Sequence, residues 1–212
     1  MTPESRLDAG ADALSLSLSD TARQRLLDYV ALLLRWNRVT NLTAVRDPVA
    51  MVERHLLDCL AVLPCVAGPR VLDLGSGGGL PGLVFAIVRP EWALWLVDSN
   101  GKKTRFLTQA AIELGLSNVT VVNARAESWQ NGRDFDTVVS RAFTELGGFA
   151  AMARAFVREE GRIVAMTGKQ TGHTVGDSVC ACEVTAIEAV DVPFVEAERH
   201  VVSLKPIETE TP

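Results

Sequence analysis

The 212-residue chain lacks several features that define whole classes of protein. Its longest apolar runs fall far short of the ~20 residues that a membrane-spanning helix needs. The stretch Met1 to Glu4 has neither the basic nor the apolar region of a signal peptide, so we expect a cytoplasmic protein with no membrane partner. A net charge of -5 argues against a protein that coats nucleic acid through bulk charge, although it is compatible with a local basic face.

The four cysteines also lack the patterns that bind metals or form disulfide frameworks. They are Cys59, Cys65, Cys180 and Cys182. No C-x-x-C pair and no partnering histidine occurs, and free cysteine behaves as a small hydrophobe. The sequence therefore predicts buried, reduced thiols and no metal site.

What is present is a glycine-rich turn between two predicted strands. Val71 to Leu74 is typical of a buried strand, and five glycines follow within eight residues, from Gly75 to Gly82. A helix opens at about Leu80, and a second apolar strand ends at Asp98, about 20 residues after the glycines, where a carboxylate can accept from both ribose hydroxyls. This order predicts the opening βαβ unit of a doubly wound sheet that binds an adenosine-containing cofactor.

The glycines alone do not identify that cofactor. Residues 77–82 satisfy G-x-G-x-x-G, which is compatible with a nicotinamide dinucleotide. The strand, however, runs into the frame Asp73-x-Gly75-x-Gly77, and an acid there would repel a pyrophosphate but suits the amino-acid cation of S-adenosylmethionine. The only tyrosine is Tyr29, so no Tyr-x-x-x-Lys pair follows the glycines. S-adenosylmethionine is therefore favoured over a nicotinamide cofactor.

Two segments differ in their patterns. Residues 1–68 are predicted to be a helical extension, and residues 69–212 alternate strands and helices. Seven strands are predicted, which gives an α/β fold with a doubly wound, mostly parallel sheet. They lie near residues 71–74, 92–97, 119–122, 135–140, 161–166, 182–192 and 198–204. We read residues 167–178, which are rich in glycine and threonine, as a loop.

The extension contains two predicted helices. The first has Ser19 as its N-cap and runs to about Trp36, and the second begins at about Pro48. On the second helix, Arg54 and Asp58 are predicted to form an i,i+4 pair on a polar face, with a half-buried His55 beside them. That polar face either is solvated or borders the cofactor or substrate.

A further predicted helix, from Lys102 to Leu116, has three cations in its first turn. They are Lys102, Lys103 and Arg105. Cations at a helix N-terminus oppose the helix dipole, so either they are simply solvated or they meet nucleic-acid phosphates. With Arg46 and Arg54 they would form an RNA-binding face.

Several motifs, in order from about residue 20 to residue 205, resemble the bacterial ribosomal small-subunit methyltransferase G family, GidB. These motifs are Trp36-Asn37, Asn41-Leu42-Thr43, Arg46-Asp47, Arg54-His55 with Asp58, Asp73 to Gly82, Val88-Arg89-Pro90, Asp98-Ser99, Lys102 to Leu107, Ser140 to Phe143 and Glu198-Arg199-His200. Members often have a lysine directly before the glycine that follows the fifth strand. Here Thr167 precedes Gly168, and Lys169 follows it.

The resemblance implies a Rossmann-like class I fold and methyl transfer from S-adenosylmethionine to N7 of a guanine in 16S ribosomal RNA, guanine 527 in the standard numbering. The partner would be that RNA or the small ribosomal subunit, and the protein would be a monomer. By similarity, several residues would contact the cofactor or border its pocket: Gly75, Leu80, Ala126, Glu127 and Arg141. A small-molecule methyltransferase, with residues 1–68 as a lid, is the alternative, and a non-catalytic adenosine sensor is a more distant one.

The chemistry of that reaction can be judged from the residues. Guanine N7 carries an in-plane lone pair, so its attack on a sulfonium methyl needs alignment and no general base. The sequence has no amide clamp of the Asn-Pro-Pro-Tyr kind after the fourth strand, where Ser140-Arg141 stands instead. We therefore expect no catalytic base. Arg141 can position the guanine edge, a phosphate or the cofactor, and the resemblance favours the cofactor.

Overall fold

An eight-stranded sheet forms the centre of the computed structural model, which describes residues 1–130, 132, 134–141, 143, 145–168 and 172–207. The strands are β1 Arg70–Leu74, β2 Ala93–Asp98, β3 Val119–Asn123, β4 Phe135–Ser140, β5 Val157–Thr167, β6 Ser178–Val179, β7 Cys182–Ala189 and β8 His200–Pro206. Their order across the sheet is β3-β2-β1-β4-β5-β8-β7-β6. Strands β1 to β5 run parallel, and β6 to β8 pair antiparallel.

This topology confirms the predicted doubly wound, mostly parallel α/β fold. Seven strands match the predicted ones, and the eighth, β6, is a two-residue strand that pairs with β7 at the end of the sheet. So short a segment has no alternation that a sequence pattern could reveal. The reversal of strand order between β1 and β4 puts the ends of these two strands side by side, where open sheets of this kind bind ligands.

Helices cover both faces of the sheet. They are α1 Pro3–Ala13, α2 Asp20–Thr40, α3 Pro48–Met51, a π-helical turn Val52–Leu57, α4 Asp58–Val62, α5 Gly82–Val88, α6 Gly101–Glu113 and α7 Leu146–Ala153. Short 3₁₀ turns occupy Leu63–Cys65 and Ala126–Ser128. As predicted, the Ser19 hydroxyl caps α2 by accepting from the Ala22 N–H at 3.2 Å.

Helix α2 runs one turn beyond the predicted end near Trp36. It ends at Thr40 and is capped by Asn41, whose φ of 48° is the left-handed conformation that asparagine tolerates at a helix C-cap. Asn37 stays in the helix because its side chain is buried and forms two hydrogen bonds to the main chain of Thr43. These tertiary partners outweigh its weak helix propensity.

One apolar core joins the helical extension to the sheet. Leu26 and Tyr29 of α2 share it with Phe85 of α5 and Phe106 of α6, whereas a second cluster on the other face of the sheet packs Phe149 of α7. Trp36 meets Phe106 edge to face, with ring centroids 5.7 Å apart. The division at residue 68 stays a prediction, and no gap in packing accompanies it within the described residues.

The prediction that the cysteines are buried is only half right. Cys59 and Cys182 are buried, but Cys65 is half-buried and Cys180 is exposed; all four are free thiols. Cys180 and Ala181 form the tight turn between β6 and β7 with positive φ angles, and this turn leaves the Cys180 side chain in solvent. Among the described residues, none of the helices has both the length and the apolar character needed to cross a bilayer.

Candidate active site

The glycine-rich loop folds back over the end of β2. Gly75, Gly77 and Gly79 have φ angles of 77°, 57° and 89°, which residues with a side chain rarely adopt. The N–H groups of Gly75 and Ser76 both donate to the Val97 carbonyl, at 2.8 and 3.1 Å. A side chain at Gly75 would meet nothing within 4 Å, so its backbone borders open space.

Asp98 is held beside this loop by two backbone donors. Its side chain is only 7% exposed, and its two oxygens accept from the N–H groups of Gly77 at 2.9 Å and Asn100 at 2.8 Å. These bonds fix the plane of the carboxylate and link the glycine loop to the end of β2. The remaining lone pairs of both oxygens are those that two ribose hydroxyls would use.

A cavity of about 300 Å³ opens at this carboxylate, and we call it the Asp98 cavity. Its lining residues are Leu74, Gly75, Val97, Asp98, Ser99, Ala124, Arg125, Ala126, Glu127 and Met152. Four of the predicted cofactor-binding residues therefore lie together here. An acid at the end of β2, a glycine backbone and a short 3₁₀ turn after β3 fit an adenosine moiety.

Asp73, whose charge favours S-adenosylmethionine in the sequence, is not among the residues that line the Asp98 cavity. It is completely buried on the α5 side of the sheet, where Oδ2 accepts from the Gly82 N–H at 2.8 Å. Oδ1 has no hydrogen-bond partner among the described residues. Burial raises the pKa of this carboxyl from 3.8 to about 7. Asp73 thus fastens the start of α5 beneath the loop and does not line the Asp98 cavity.

A second cavity, of about 350 Å³, lies at the same edge of the sheet, and we call it the arginine cavity. It is lined by Val45, Arg54, His55, Asp58, Arg141, Met166, Thr167, Gly168 and Arg199. Three arginines face one carboxylate, so the lining carries a net charge of +2 when His55 is neutral. The residues come from both the helical extension and the sheet, and β4 delivers Arg141 next to the end of β1.

A π-helical turn over Val52–Leu57 precedes Asp58 and changes the register of the helix, because its hydrogen bonds run from i to i+5. Asp58 is 4% exposed and contacts Arg141 and Arg199, while Arg54 stays exposed. The predicted Arg54–Asp58 surface pair is therefore wrong, because Asp58 is buried and both of its oxygens bind other arginines.

His55 is buried at the base of the arginine cavity rather than half-buried as predicted. Its Nδ1 lies 2.9 Å from the Arg54 carbonyl oxygen, which can only accept, so Nδ1 carries the proton. Its Nε2 then accepts from the Thr43 hydroxyl at 2.7 Å, and that hydroxyl accepts from the Val45 N–H at 3.1 Å. Burial, followed by the Arg141 guanidinium, lowers the pKa of this ring from 6.5 to about 4.

The remaining predicted site residues are separated from the Asp98 cavity. Leu80 is buried in the turn before α5, Gly77 reaches the cavity only by capping Asp98, and Arg141 lines the arginine cavity. The predicted RNA face lies along the edge where β1, β2 and β4 end. Arg54 lines the arginine cavity, and Arg46 is exposed near it.

The other three predicted RNA contacts lie in the first turn of α6, immediately after β2. Lys102 and Arg105 are exposed and Lys103 is half-buried, and within the described residues none of the three forms an ion pair. Lys169 lies outside the described residues. Arg199 is a site residue that the sequence patterns did not single out, although it stands in a motif of the resemblance. Asp58 was singled out, but with Arg54 as its predicted partner rather than Arg141 and Arg199.

The tyrosine in α2 forms a hydrogen bond to the glycine loop. Tyr29 is completely buried, and its hydroxyl donates to the Gly78 carbonyl at 2.5 Å. Burial raises the pKa of Tyr29 well above 10, so the phenol keeps its proton and remains a donor. The helical extension therefore contributes directly to the geometry of the predicted cofactor loop.

The strand order, the glycine loop after β1 and the acid at the end of β2 define a Rossmann-like methyltransferase. Solved structures agree with this fold. One is a variant of MtNAS in complex with S-adenosylmethionine, with a TM-score of 0.60, 14% identity, and coverage of 84% of this chain and 73% of that one. Another is the Burkholderia thailandensis 1,6-didemethyltoxoflavin-N1-methyltransferase, with a TM-score of 0.57, 16% identity, and coverage of 85% and 90%.

Sequence comparison identifies the particular family. Residues 22–202 match the GidB family, described as rRNA small subunit methyltransferase G. The ribosomal RNA small subunit methyltransferase G of Chromohalobacter salexigens is 49% identical over 209 residues, which cover 97% of this chain and 99% of that protein. The protein of the same name from Laribacter hongkongensis is 47% identical over 207 residues, with 96% and 99% covered. The chain belongs to the GidB family.

Family membership confirms the resemblance seen in the motifs. It also confirms S-adenosylmethionine, rather than a nicotinamide, as the cofactor.

Proposed function

We propose that this protein transfers a methyl group from S-adenosylmethionine to N7 of a guanine in 16S ribosomal RNA, with guanine 527 as the target. The names of its relatives support a small-subunit RNA substrate. Guanine N7 and position 527 are proposed from the motif resemblance. The partner would be this RNA or the small subunit, and the activity would be cytoplasmic.

The observation that carries this proposal is the pair of cavities at one edge of the sheet. Strands β1 and β4 are neighbours, with Asp73 opposite Val139, so Gly75 and Arg141 extend side by side beyond the strand ends. A cavity suited to adenosine and a cavity lined by three arginines therefore lie next to each other. Such an arrangement can bring a methyl donor to a nucleotide of a polyanion.

The residues of the Asp98 cavity would hold the cofactor. Asp98 would accept from the ribose hydroxyls, Gly75 would approach through its bare backbone, and Ala126 with Glu127 would border the adenine. Arg141 lines the arginine cavity and follows β4, the strand next to β1, so it would contact the RNA or the end of the cofactor that extends beyond Gly75. When bound, the cofactor supplies an electrophilic methyl group on a sulfonium.

The protein's contribution to the reaction would be alignment rather than proton removal. Guanine N7 attacks with a lone pair that it already has, so only its position and the exclusion of water matter. His55 supports this assignment, because its one acceptor nitrogen is engaged by the Thr43 hydroxyl. A histidine in that state orients the 43–45 segment beside the arginine cavity and has no lone pair to offer a substrate.

The proposal is tested by mapping N7-methylguanine in ribosomal RNA. Borohydride reduction followed by aniline cleaves RNA at N7-methylguanine, and primer extension then locates the break. RNA from cells with the gene should break at guanine 527 of the 16S molecule, and RNA from cells without it should not. Purified protein, with small subunits or deproteinised 16S RNA from the deletion cells, should restore the break. An identical pattern with and without the gene would exclude this target.

A further inference from the structure

Asp58 is a buried carboxylate that joins two arginines from distant parts of the fold. Its Oδ2 lies 3.2 Å from Nη1 of Arg141, after β4, and its Oδ1 lies 2.7 Å from Nε of Arg199, just before β8. Asp58 is 4% exposed, whereas the two arginine side chains are about one-quarter exposed and line the arginine cavity. A carboxylate so placed holds both guanidinium groups in fixed positions, since each of its two oxygens binds one of them.

The two arginines differ in how many donors they retain. Arg141 uses Nη1 twice, for Asp58 and for the Arg54 carbonyl, and its Nη2 faces the protonated Nδ1 of His55. Arg199 uses only Nε and Nη1, the latter for the Glu198 carbonyl at 2.9 Å. Among the described residues nothing accepts from Nη2 of Arg199. Arg199 is thus the arginine that is fixed in place and still able to bind a ligand.

The ligand of Arg199 should be an anion, because the cavity lining has a net charge of +2. The position of Arg199 argues against the cofactor's own carboxylate. Its strand, β8, lies three strands from β1, so at about 4.8 Å per strand its backbone is roughly 14 Å from that of β1, and its guanidinium meets Oδ1 of Asp58 while that of Arg141, nearer the glycine loop, meets Oδ2. The base edge is also unsuitable, since an arginine paired with O6 and N7 of guanine would occupy the lone pair that must attack the methyl group.

We propose that Arg199 binds a backbone phosphate beside the target guanine, and that Asp58 is a positioning residue that fixes Arg199 and Arg141 for this purpose. The inference rests on the proposed RNA substrate and adds residues to it. A prepositioned guanidinium binds phosphate without losing side-chain entropy at the moment of docking. The phosphate contact would in turn fix the position of the guanine relative to the Asp98 cavity.

The test compares RNA binding by Arg199→Gln, Arg199→Lys and a matched control. The control is Arg158→Gln, which removes an ion pair between Arg158 and the buried Asp136 at the opposite edge of the sheet. With deproteinised 16S RNA, Arg199→Gln should lower the slope of log affinity against log salt by about 0.7, and the control should not. Arg199→Lys should restore the slope, because it keeps the charge. Cofactor affinity, measured by titration calorimetry, should be unchanged in all three.

The companion variant Asp58→Asn separates positioning from charge. It keeps both arginines, so the salt slope should stay at the wild-type value, but the single-turnover rate of methyl transfer should fall about tenfold or more because the arginines are no longer fixed. Thermal unfolding checks that the variant is folded. A normal rate in folded Asp58→Asn would overturn the positioning role.

Two further outcomes would contradict the phosphate assignment. If Arg199→Gln weakens cofactor binding and leaves the salt slope intact, the anion is the cofactor's carboxylate. If Arg199→Gln has the same slope as Arg158→Gln, Arg199 binds no phosphate. Both outcomes presuppose that the wild-type protein methylates the RNA; a wild-type protein without that activity would instead overturn the proposed function, and this inference with it.

Discussion

The two cavities at the carboxyl edge of the sheet are built in different ways. Nine of the ten residues lining the Asp98 cavity lie between residues 74 and 127, and it is shaped mainly by backbone, through glycines with positive φ and strand ends. The arginine cavity collects side chains from residue 45 to residue 199 and is shaped by their ion pairs. A backbone-built site is rigid and local, whereas a site of long charged side chains depends on buried partners such as Asp58.

Loss of Asp98 should break the first cavity and leave the second intact. Asp98→Ala removes the proposed ribose acceptor, so cofactor affinity should fall at least about a hundredfold, or ~3 kcal/mol. It also leaves the N–H groups of Gly77 and Asn100 without their acceptor, which should lower the free energy of unfolding by about 2 kcal/mol. Titration calorimetry and urea denaturation measure the two effects.

Asp134→Ala is the matched control, since it removes an exposed carboxylate from an ion pair with Arg70 at the opposite end of the sheet. It should change neither quantity by much. An unaltered cofactor affinity in Asp98→Ala would remove Asp98 from the cofactor site.

His55, at the base of the arginine cavity, should contribute less to the stability of the folded protein in acid. The pKa of His55 is about 4 in the folded protein and 6.5 unfolded, so between these values the unfolded chain binds a proton that the folded chain does not. Its contribution to stability is therefore lost as pH falls from 6.5 to 4, by up to about 3 kcal/mol. Relative to the wild type, the free energy of unfolding of His55→Gln should therefore rise as pH falls, and denaturation measured from pH 7 to 4 detects this difference.

The contribution of Asp73 to stability depends on pH in the opposite direction to that of His55. Its pKa is raised to about 7, so its burial becomes less costly as pH falls from 7 towards 3.8. His55→Gln should consequently gain stability between pH 7 and 5, and a subsequent Asp73→Asn should remove that gain. The half-buried His173, replaced by glutamine, is the control. Parallel pH profiles for His55→Gln and the wild type would contradict this account.

Removal of the Tyr29 hydroxyl should loosen the cofactor loop from the helical side. Tyr29→Phe leaves the Gly78 carbonyl without its buried donor, so the free energy of unfolding should drop by about 2 kcal/mol. Cofactor affinity should weaken several-fold, because the loop loses an anchor. Thr185→Val removes another hydroxyl-to-carbonyl bond, from β7 to Ser203, and should affect stability alone. Equal cofactor affinities in the two variants would show that Tyr29 is only structural.

Charge on α6 should affect RNA binding without affecting either cavity. When glutamine replaces Lys102, Lys103 and Arg105, the salt slope of RNA affinity should fall by about 0.7 to 0.9 for each phosphate that these side chains neutralise in the wild type. Cofactor affinity should not change. The comparison is with a triple variant at the opposite edge of the sheet, in which Arg158, Arg162 and Lys205 are replaced. If both triple variants keep the wild-type slope, the α6 cations are merely solvated.

Of the changes predicted here, the smallest is expected for the rate of methyl transfer when the pH is varied. With saturating RNA, the single-turnover rate should be nearly constant between about pH 6 and 9, because no group must lose a proton in that range. His55→Gln should keep most of the rate. A tenfold rise per pH unit that disappears in His55→Gln would instead indicate a target atom that needs deprotonation.

The difference between the cavities also explains why one was predictable and the other was not. The glycine loop and the acid at the end of β2 were predictable, because each rests on local backbone preferences, whereas Ala126 and Glu127 came only from the family resemblance. Because the carboxyl ends of neighbouring parallel strands lie at the same edge of the sheet, these local features were expected to form one site. By contrast, Asp58 and Arg199 are 141 positions apart, and no local pattern marks their contact.

Local residue patterns were thus enough to predict the α/β sheet, the cofactor loop and the family, since glycine conformations, caps and apolar alternation act over a few residues. Tertiary packing was needed to make the helical extension share the core of the sheet and to bring Tyr29 beneath the loop. It also placed Asp58 between two arginines. These features depend on which side chains packing brings together, and two arginines from distant parts of the chain were enough to overturn a prediction from i,i+4 spacing.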